Sequence, residues 1–179
     1  MPRLRLLALL LLPVLALVGC SGSAAPSSTS GIVTIPIGDR EPAPELTGEL
    51  LGGGTYSLAE HAGEVVVVNF WGSWCGPCVA EADDLEATYK STKDSKVSFI
   101  GVNIRDDKDK AIRFAELRST YPSIFDPSSR LAIGFKVPPT ATPTTIVLDR
   151  QGRVAATAFG PIQQSTLEPV VTSLAAENP

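Results

Sequence analysis

Seven consecutive residues, Val65-Val66-Val67-Val68-Asn69-Phe70-Trp71, carry one polar side chain among them. A continuous β-branched run of this kind predicts a strand covered on both faces, because a strand with one wet face alternates apolar and polar residues. Such a strand lies centrally in a sheet with further layers on either side. Just beyond it stands Trp74-Cys75-Gly76-Pro77-Cys78. A helix is expected over 76–90, since Cys78, Ala82, Leu85 and Tyr89 fall at i, i+4, i+7 and i+11 and share one face. The next apolar run covers 97–104. Strand, helix and strand within about 40 residues make a βαβ unit with parallel strands, which places the chain in the α/β class.

The rest of the pattern agrees with one domain over 45–179. From Glu45 a hairpin is expected, turning at Gly52-Gly53-Gly54. Ser57 and Glu60 have the spacing of a capping box for a brief helix. A second helix is expected over 108–120, with Ala111, Ile112, Ala115 and Leu117 as its apolar positions. Residues 121–142 are broken by prolines, with a short helix around 128–135. Runs at 144–149 and 154–159 flank Arg150-Gln151-Gly152-Arg153, an antiparallel hairpin signature. Leu167, Val170, Val171 and Leu174 at i, i+3, i+4 and i+7 close the domain as a helix.

The N-terminus has the pattern of an address. Arg3 and Arg5 precede thirteen residues, 6–18, that carry no charge and no hydroxyl. That is the length of a signal-peptide core and short of the roughly 18–20 residues a spanning helix requires. The run ends in Leu17-Val18-Gly19-Cys20. This resembles the lipobox of bacterial lipoproteins, which implies cleavage of 1–19 and a diacylated Cys20 at the new terminus. Two acyl chains suffice for stable anchoring. Residues 20–44, rich in Ser, Gly and Pro, are then expected as a flexible tether. A net charge of -4, falling to -6 once Arg3 and Arg5 are removed, leaves no positive stripe for nucleic acid.

The chemistry is concentrated in the cysteine pair. The N–H groups and dipole at a helix start favour a thiolate, so Cys75 is the expected nucleophile, with a lowered pKa. Cys78, one turn inside, is less accessible and suited to resolve a mixed disulfide formed at Cys75. Pro77 fits the first helical turn, where its missing N–H costs nothing. Trp74 is expected as an apolar rim beside an exposed sulfur. Half of a zinc site is the competing reading, but His61 is the only further ligand once Cys20 is lipidated, and three ligands do not close a structural site. No metal is expected, and no cofactor beyond the redox-active Cys75–Cys78 pair.

Phe70-Trp71-Gly72-Ser73-Trp74-Cys75-Gly76-Pro77-Cys78 resembles the active-site segment of the thioredoxin superfamily, and within it the TlpA/ResA-like membrane-tethered thiol–disulfide oxidoreductases. The resemblance implies a thioredoxin fold: a central mixed β-sheet flanked by helices, with an N-terminal β-hairpin extension. It implies a role for Glu81, three residues after Cys78, as proton acceptor or donor, with Asn69 where cytosolic thioredoxins keep a buried Asp. A carboxylate there has its pKa raised by desolvation. The competing reading is a solvated helix Glu among Asp83, Asp84 and Glu86. The resemblance also implies a cis-proline at Thr142-Pro143, whose preceding backbone pairs with substrate; Pro139 is the second choice. Gly76, Pro77, Trp74, Thr142 and Pro143 are thus substrate-contacting.

By the same resemblance the protein is a monomeric reductase of apocytochrome c C-x-x-C-H disulfides, recharged by a membrane electron donor of the CcdA/DsbD type. The protein would act on protein thiols and disulfides at the outer face of the bacterial cytoplasmic membrane. Gly-Pro between the cysteines is the thioredoxin dipeptide, which favours reduction. A disulfide-forming oxidase, a peroxiredoxin-like peroxidase and a non-enzymatic lipoprotein are the alternatives. Gly72, three residues before Cys75, argues against the peroxidase motif. His61 is expected as a surface or capping residue, and Asp106-Asp107-Lys108-Asp109-Lys110 as a solvated helix start.

Overall fold

A computed structural model describes residues 27–29 and 31–177. The expected signal peptide 1–19 and Cys20 lie outside the described residues. The main sheet has seven strands in the order β1-β2-β9-β8-β5-β6-β7. They are β1 (Ser27–Thr29), β2 (Ile32–Thr34), β5 (Val65–Trp71), β6 (Val97–Ile104), β7 (Ser123–Asp126), β8 (Thr144–Leu148) and β9 (Val154–Phe159). A separate hairpin pairs β3 (Thr47–Glu49) with β4 (Thr55–Ser57). The helices are α1 (Gly76–Thr92), α2 (Lys108–Arg118), α3 (Arg130–Gly134) and α4 (Gln164–Ala176). Among the described residues no helix is long and apolar enough to cross a membrane.

β5 is central and buried along its whole length. It pairs parallel with β6, as the βαβ spacing predicts, and antiparallel with β8, so the sheet is mixed. Alternation along β5 divides its side chains between two cores. Val65 and Val67 pack with Leu85 of α1 and Leu167 and Val171 of α4. Val66, Val68 and Phe70 pack with Leu131 of α3, with Leu46 just before the hairpin and with Tyr56 of β4. Asn69 and Trp71 therefore continue the face that α1 covers. There Asn69 meets Glu81, and Trp71 joins both cysteines and Ala111 of α2 in a third apolar cluster.

Several expectations are corrected. Residues 20–44 are not a tether throughout. Ile32 is buried, and β2 pairs antiparallel with β9, Ile32 opposite Ala158. Arg40 is held by Asp149 at 3.2 Å and by Glu177 at 2.6 Å, and Pro42 bridges to Arg153. The domain thus begins well before residue 45. The first helix runs two residues past 90, the second stops at Arg118, and the short third covers only Arg130–Gly134. Leu117 is 82 % exposed, because α2 turns Ala111 and Phe114 inward instead. Ser57 precedes a 3-10 turn over Leu58–His61 but makes no side-chain cap bond, so the capping-box spacing is not used. β7 arises within the segment expected to be irregular and pairs parallel with β6.

Candidate functional site

The site forms where β5 ends and α1 begins. Cys75 is the N-cap of α1, in extended backbone, and Pro77 occupies the first turn. The Cys78 amide donates to Cys75 Sγ at 3.2 Å. The same amide also donates to the Cys75 carbonyl at 3.1 Å, and its share aimed at the sulfur stabilises negative charge there. The two cysteines are joined in a disulfide with their Cα atoms 5.3 Å apart. Cys75 is only 4 % exposed and Cys78 2 %, so the expected exposed sulfur is not seen in the oxidised pair. Trp74, Gly76 and Pro77 supply the accessible surface, with Trp74 52 % exposed. Gly72 lets the Trp74 indole fold back, since a Cβ there would meet Trp74 Nε1 at 2.5 Å.

Glu81 is 2 % exposed, which removes the solvated reading. The Asn69 side-chain amide donates to Oε1 at 2.9 Å, and the Ile162 backbone amide donates to Oε2 at 3.0 Å. Asn69 also donates to Thr145 Oγ1 at 3.1 Å. Burial pushes the Glu81 carboxyl up to about 7, against the lowering effect of these two hydrogen bonds. Glu81 therefore changes charge near neutral pH, one helical turn from Cys78, where i and i+3 side chains are neighbours.

The cis peptide bond is at Thr142-Pro143, the first choice of the two prolines. Pro143 is buried, and its carbonyl accepts the Gly160 amide at 2.9 Å. The Thr142 carbonyl faces Cys75 Sγ at 3.6 Å. The structure thus brings Trp74, Cys75, Gly76, Pro77, Cys78, Glu81, Thr142 and Pro143 to one end of the sheet. His61 is not brought there. It sits before β5, hydrogen-bonded to Glu64 at 2.9 Å and stacked on Tyr56, while the cysteines follow β5 at its far end.

Sequence reasoning missed the loop after β6. Asp106 is not merely a solvated helix start. It accepts the Ser73 amide at 2.5 Å, the Ser73 hydroxyl at 2.8 Å and the Asn103 side-chain amide at 2.8 Å. Burial raises its carboxyl, but these donors and the Asp107 amide outweigh that and hold it below the usual carboxylate range. Asp107 behind it caps α2, accepting from the Lys110 amide at 3.1 Å. Two adjacent acidic residues before a helix start were the available signal; only one is needed as a cap.

A helix-capping thiol, a partner thiol one turn on, a buried carboxyl titrating near neutrality and a backbone edge beside the sulfur are the parts of dithiol–disulfide exchange. Comparisons with known proteins agree. The family model described as Redoxin matches residues 22–174. The chain is 30% identical over 127 residues to the thiol-disulfide oxidoreductase ResA of Geobacillus kaustophilus, covering 70% of this chain and 72% of that one. It is 30% identical over 176 residues to the thiol:disulfide interchange protein HelX of Rhodobacter capsulatus, covering 94% and 96%. The crystal structure of a DsbF homologue from Corynebacterium diphtheriae superposes with a TM-score of 0.76 at 36% identity, over 87% of this chain and 99% of that one.

Proposed function

The chain belongs to the Redoxin family, and we propose that it serves there as an extracytoplasmic reductase of protein disulfides, with the C-x-x-C-H disulfides of apocytochromes c as substrates. That it is a thiol–disulfide oxidoreductase follows from its relatives and its cysteine pair. The observation that carries the reductive direction is the Gly76-Pro77 dipeptide between the cysteines, the pair found in thioredoxin, a reductant. The Cys78 amide aimed at Cys75 Sγ stabilises the Cys75 thiolate and so makes Cys75 the attacking sulfur, whichever way the electrons flow.

In the reduced protein the Cys75 thiolate attacks one sulfur of the substrate disulfide. The other substrate sulfur leaves as a thiolate and takes a proton from solvent. Cys78 then gives its proton to Glu81 and attacks Cys75 Sγ. The substrate's second thiolate departs, and two electrons have passed to it from the enzyme, which is left as the Cys75–Cys78 disulfide. A thiol-bearing membrane donor of the CcdA/DsbD type would return the electrons. The substrate chain would pair with the Thr142 edge beside Pro143, against Trp74. We assign the protein to the outer face of the cytoplasmic membrane, as a monomer held by a lipidated Cys20. Arg3, Arg5, the apolar run 6–18 and Leu17-Val18-Gly19-Cys20 support that assignment.

Cys78→Ser tests the substrate. It leaves Cys75 able to attack and unable to release, so substrates accumulate as mixed disulfides in cells. Apocytochromes among the trapped proteins are the expected result. A varied set of secreted proteins without them, together with a reduction potential near the oxidising value of about −120 mV, would establish an oxidase instead.

A further inference from the structure

Arg105 follows β6 and holds three partners at the mouth of the site. Its guanidinium donates to the Pro139 carbonyl at 2.9 Å and to Thr142 Oγ1 at 2.8 Å. Its Cζ lies 4.9 Å from the centre of the Trp74 ring. Trp74 adjoins Cys75, and Thr142 presents the carbonyl that faces Cys75 Sγ. One side chain thus spans the two loops between which any disulfide must enter. Its backbone is left-handed, with φ 52°, a conformation non-glycine residues rarely adopt. The next residue, Asp106, clamps Ser73 from the same turn.

The requirement is for arginine rather than for positive charge. A planar fork can satisfy two acceptors at once while its face stacks on an indole; an ammonium is a point donor and does neither together. Among the described residues no carboxylate forms an ion pair with Arg105, so its contacts are not explained by neutralising a neighbour.

We infer that Arg105 is a positioning residue that latches the Trp74 loop to the 139–142 loop and so fixes the width of the substrate entrance. The latch acts on polypeptide substrates, which must lie along the Thr142 edge. It does not act on small disulfides, which need only reach Cys75. The inference rests on the protein-substrate reading above.

The test measures turnover, with dithiothreitol returning two electrons to the Cys75–Cys78 pair and its uncatalysed rate subtracted, on insulin, as a protein disulfide, and on hydroxyethyl disulfide, which is small and uncharged. Arg105→Met should raise KM for insulin about tenfold with kcat held, because a displaced recognition edge weakens binding before chemistry. Turnover of hydroxyethyl disulfide should stay within about twofold, since the sulfur and its amide donor are untouched. Arg105→Lys should match Arg105→Met. Thr142→Val removes one acceptor of the fork without touching Arg105 and should raise the insulin KM about threefold. Combined with Arg105→Met it should add nothing further, because the contact it removes is one of the three already lost with Arg105. Equal losses on the two substrates, an unchanged insulin KM, or full recovery with lysine would each overturn the latch. If the unaltered protein turns over hydroxyethyl disulfide but not insulin, the protein-substrate reading falls first, and the latch with it.

Discussion

The Asn69 side chain reaches from the middle of β5 to Glu81 on the second turn of α1 and donates to its carboxylate at 2.9 Å. A neutral donor in that position holds the carboxyl in place without fixing its charge. An arginine or lysine there would lock Glu81 as an anion. Asn69 leaves burial as the dominant influence, and burial favours the protonated acid.

Glu81→Gln should therefore stabilise the protein, and only above acid pH. The folded carboxyl titrates near 7 and the unfolded one near its ordinary 4.5. The folded state binds more protons between those values, so wild-type stability falls as pH rises from about 4.5 through 7 and then levels. The penalty at pH 8 is bounded on the order of 3 kcal/mol, from about 1.4 kcal/mol per pH unit between the two values. Gln is neutral throughout, and Asn69 can turn its amide over to accept from it. Urea titrations should show the variant more stable at pH 8 and matched at pH 4. Equal curves at pH 8 would show that the carboxylate is not desolvated.

The same substitution should slow exchange. If Glu81 takes the Cys78 proton, single-turnover release of the mixed disulfide should lose its inflection near pH 7 in Glu81→Gln, while attack by Cys75 is unchanged. A profile that keeps the inflection would remove Glu81 from the proton path.

In the reduced protein Cys75 should react first. It caps the helix and receives the Cys78 amide. Stoichiometric iodoacetamide at pH 7, followed by peptide mapping, should label Cys75 well ahead of Cys78. Equal labelling would contradict the assigned order of attack.

Asp106→Ala should cost about 1–2 kcal/mol at pH 7, since donors from Ser73 and Asn103 lose a charged acceptor. The folded carboxyl is held below its ordinary 3.8. The stability it confers is present above about pH 4 and is lost as pH falls through the lowered value. Urea titrations at pH 7 and pH 2.5 should show the gap between variant and wild type closing. A gap that persists at the lower pH would mean that packing, not charge, explains it.

A chain starting at residue 45 should be markedly less stable than one starting at residue 31. It lacks β2 on the sheet edge and Arg40, whose side chain is 6% exposed and paired with Asp149 and Glu177. Arg40→Met alone should cost about 2 kcal/mol, less than a lone buried pair, because Arg153 still holds Asp149 at 2.8 Å. Thermal melts of both proteins check this; coincident melts would restore the longer tether.

The central strand, the cysteine helix and the place of Glu81 were legible because each is set by local periodicity: seven apolar-rich residues, then i, i+3 and i+4 on one helix face. The strand Ile32–Thr34 was not. Three residues in a Ser- and Pro-rich stretch carry no period, and their strand character comes from the free edge of β9. Asp106 and Arg105 were illegible for a related reason. Their partners, Ser73, Pro139 and Thr142, lie more than thirty residues away in the chain. Leu117 shows the converse error. An apolar residue at a helical spacing was assigned to the core, but α2 has room for only part of its stripe against Trp71.

The β1–β2 pairing has a directional outcome. β2 starts beside Ala158, near the end of the sheet that holds Pro143, and β1 runs antiparallel to it, Ser27 opposite Thr34. Followed backwards from Thr29 to Ser27, the chain heads away from the cysteines. Ser27, the first described residue, thus lies toward the end of the sheet opposite the sulfur pair, so β1 leaves the approach to that pair uncovered.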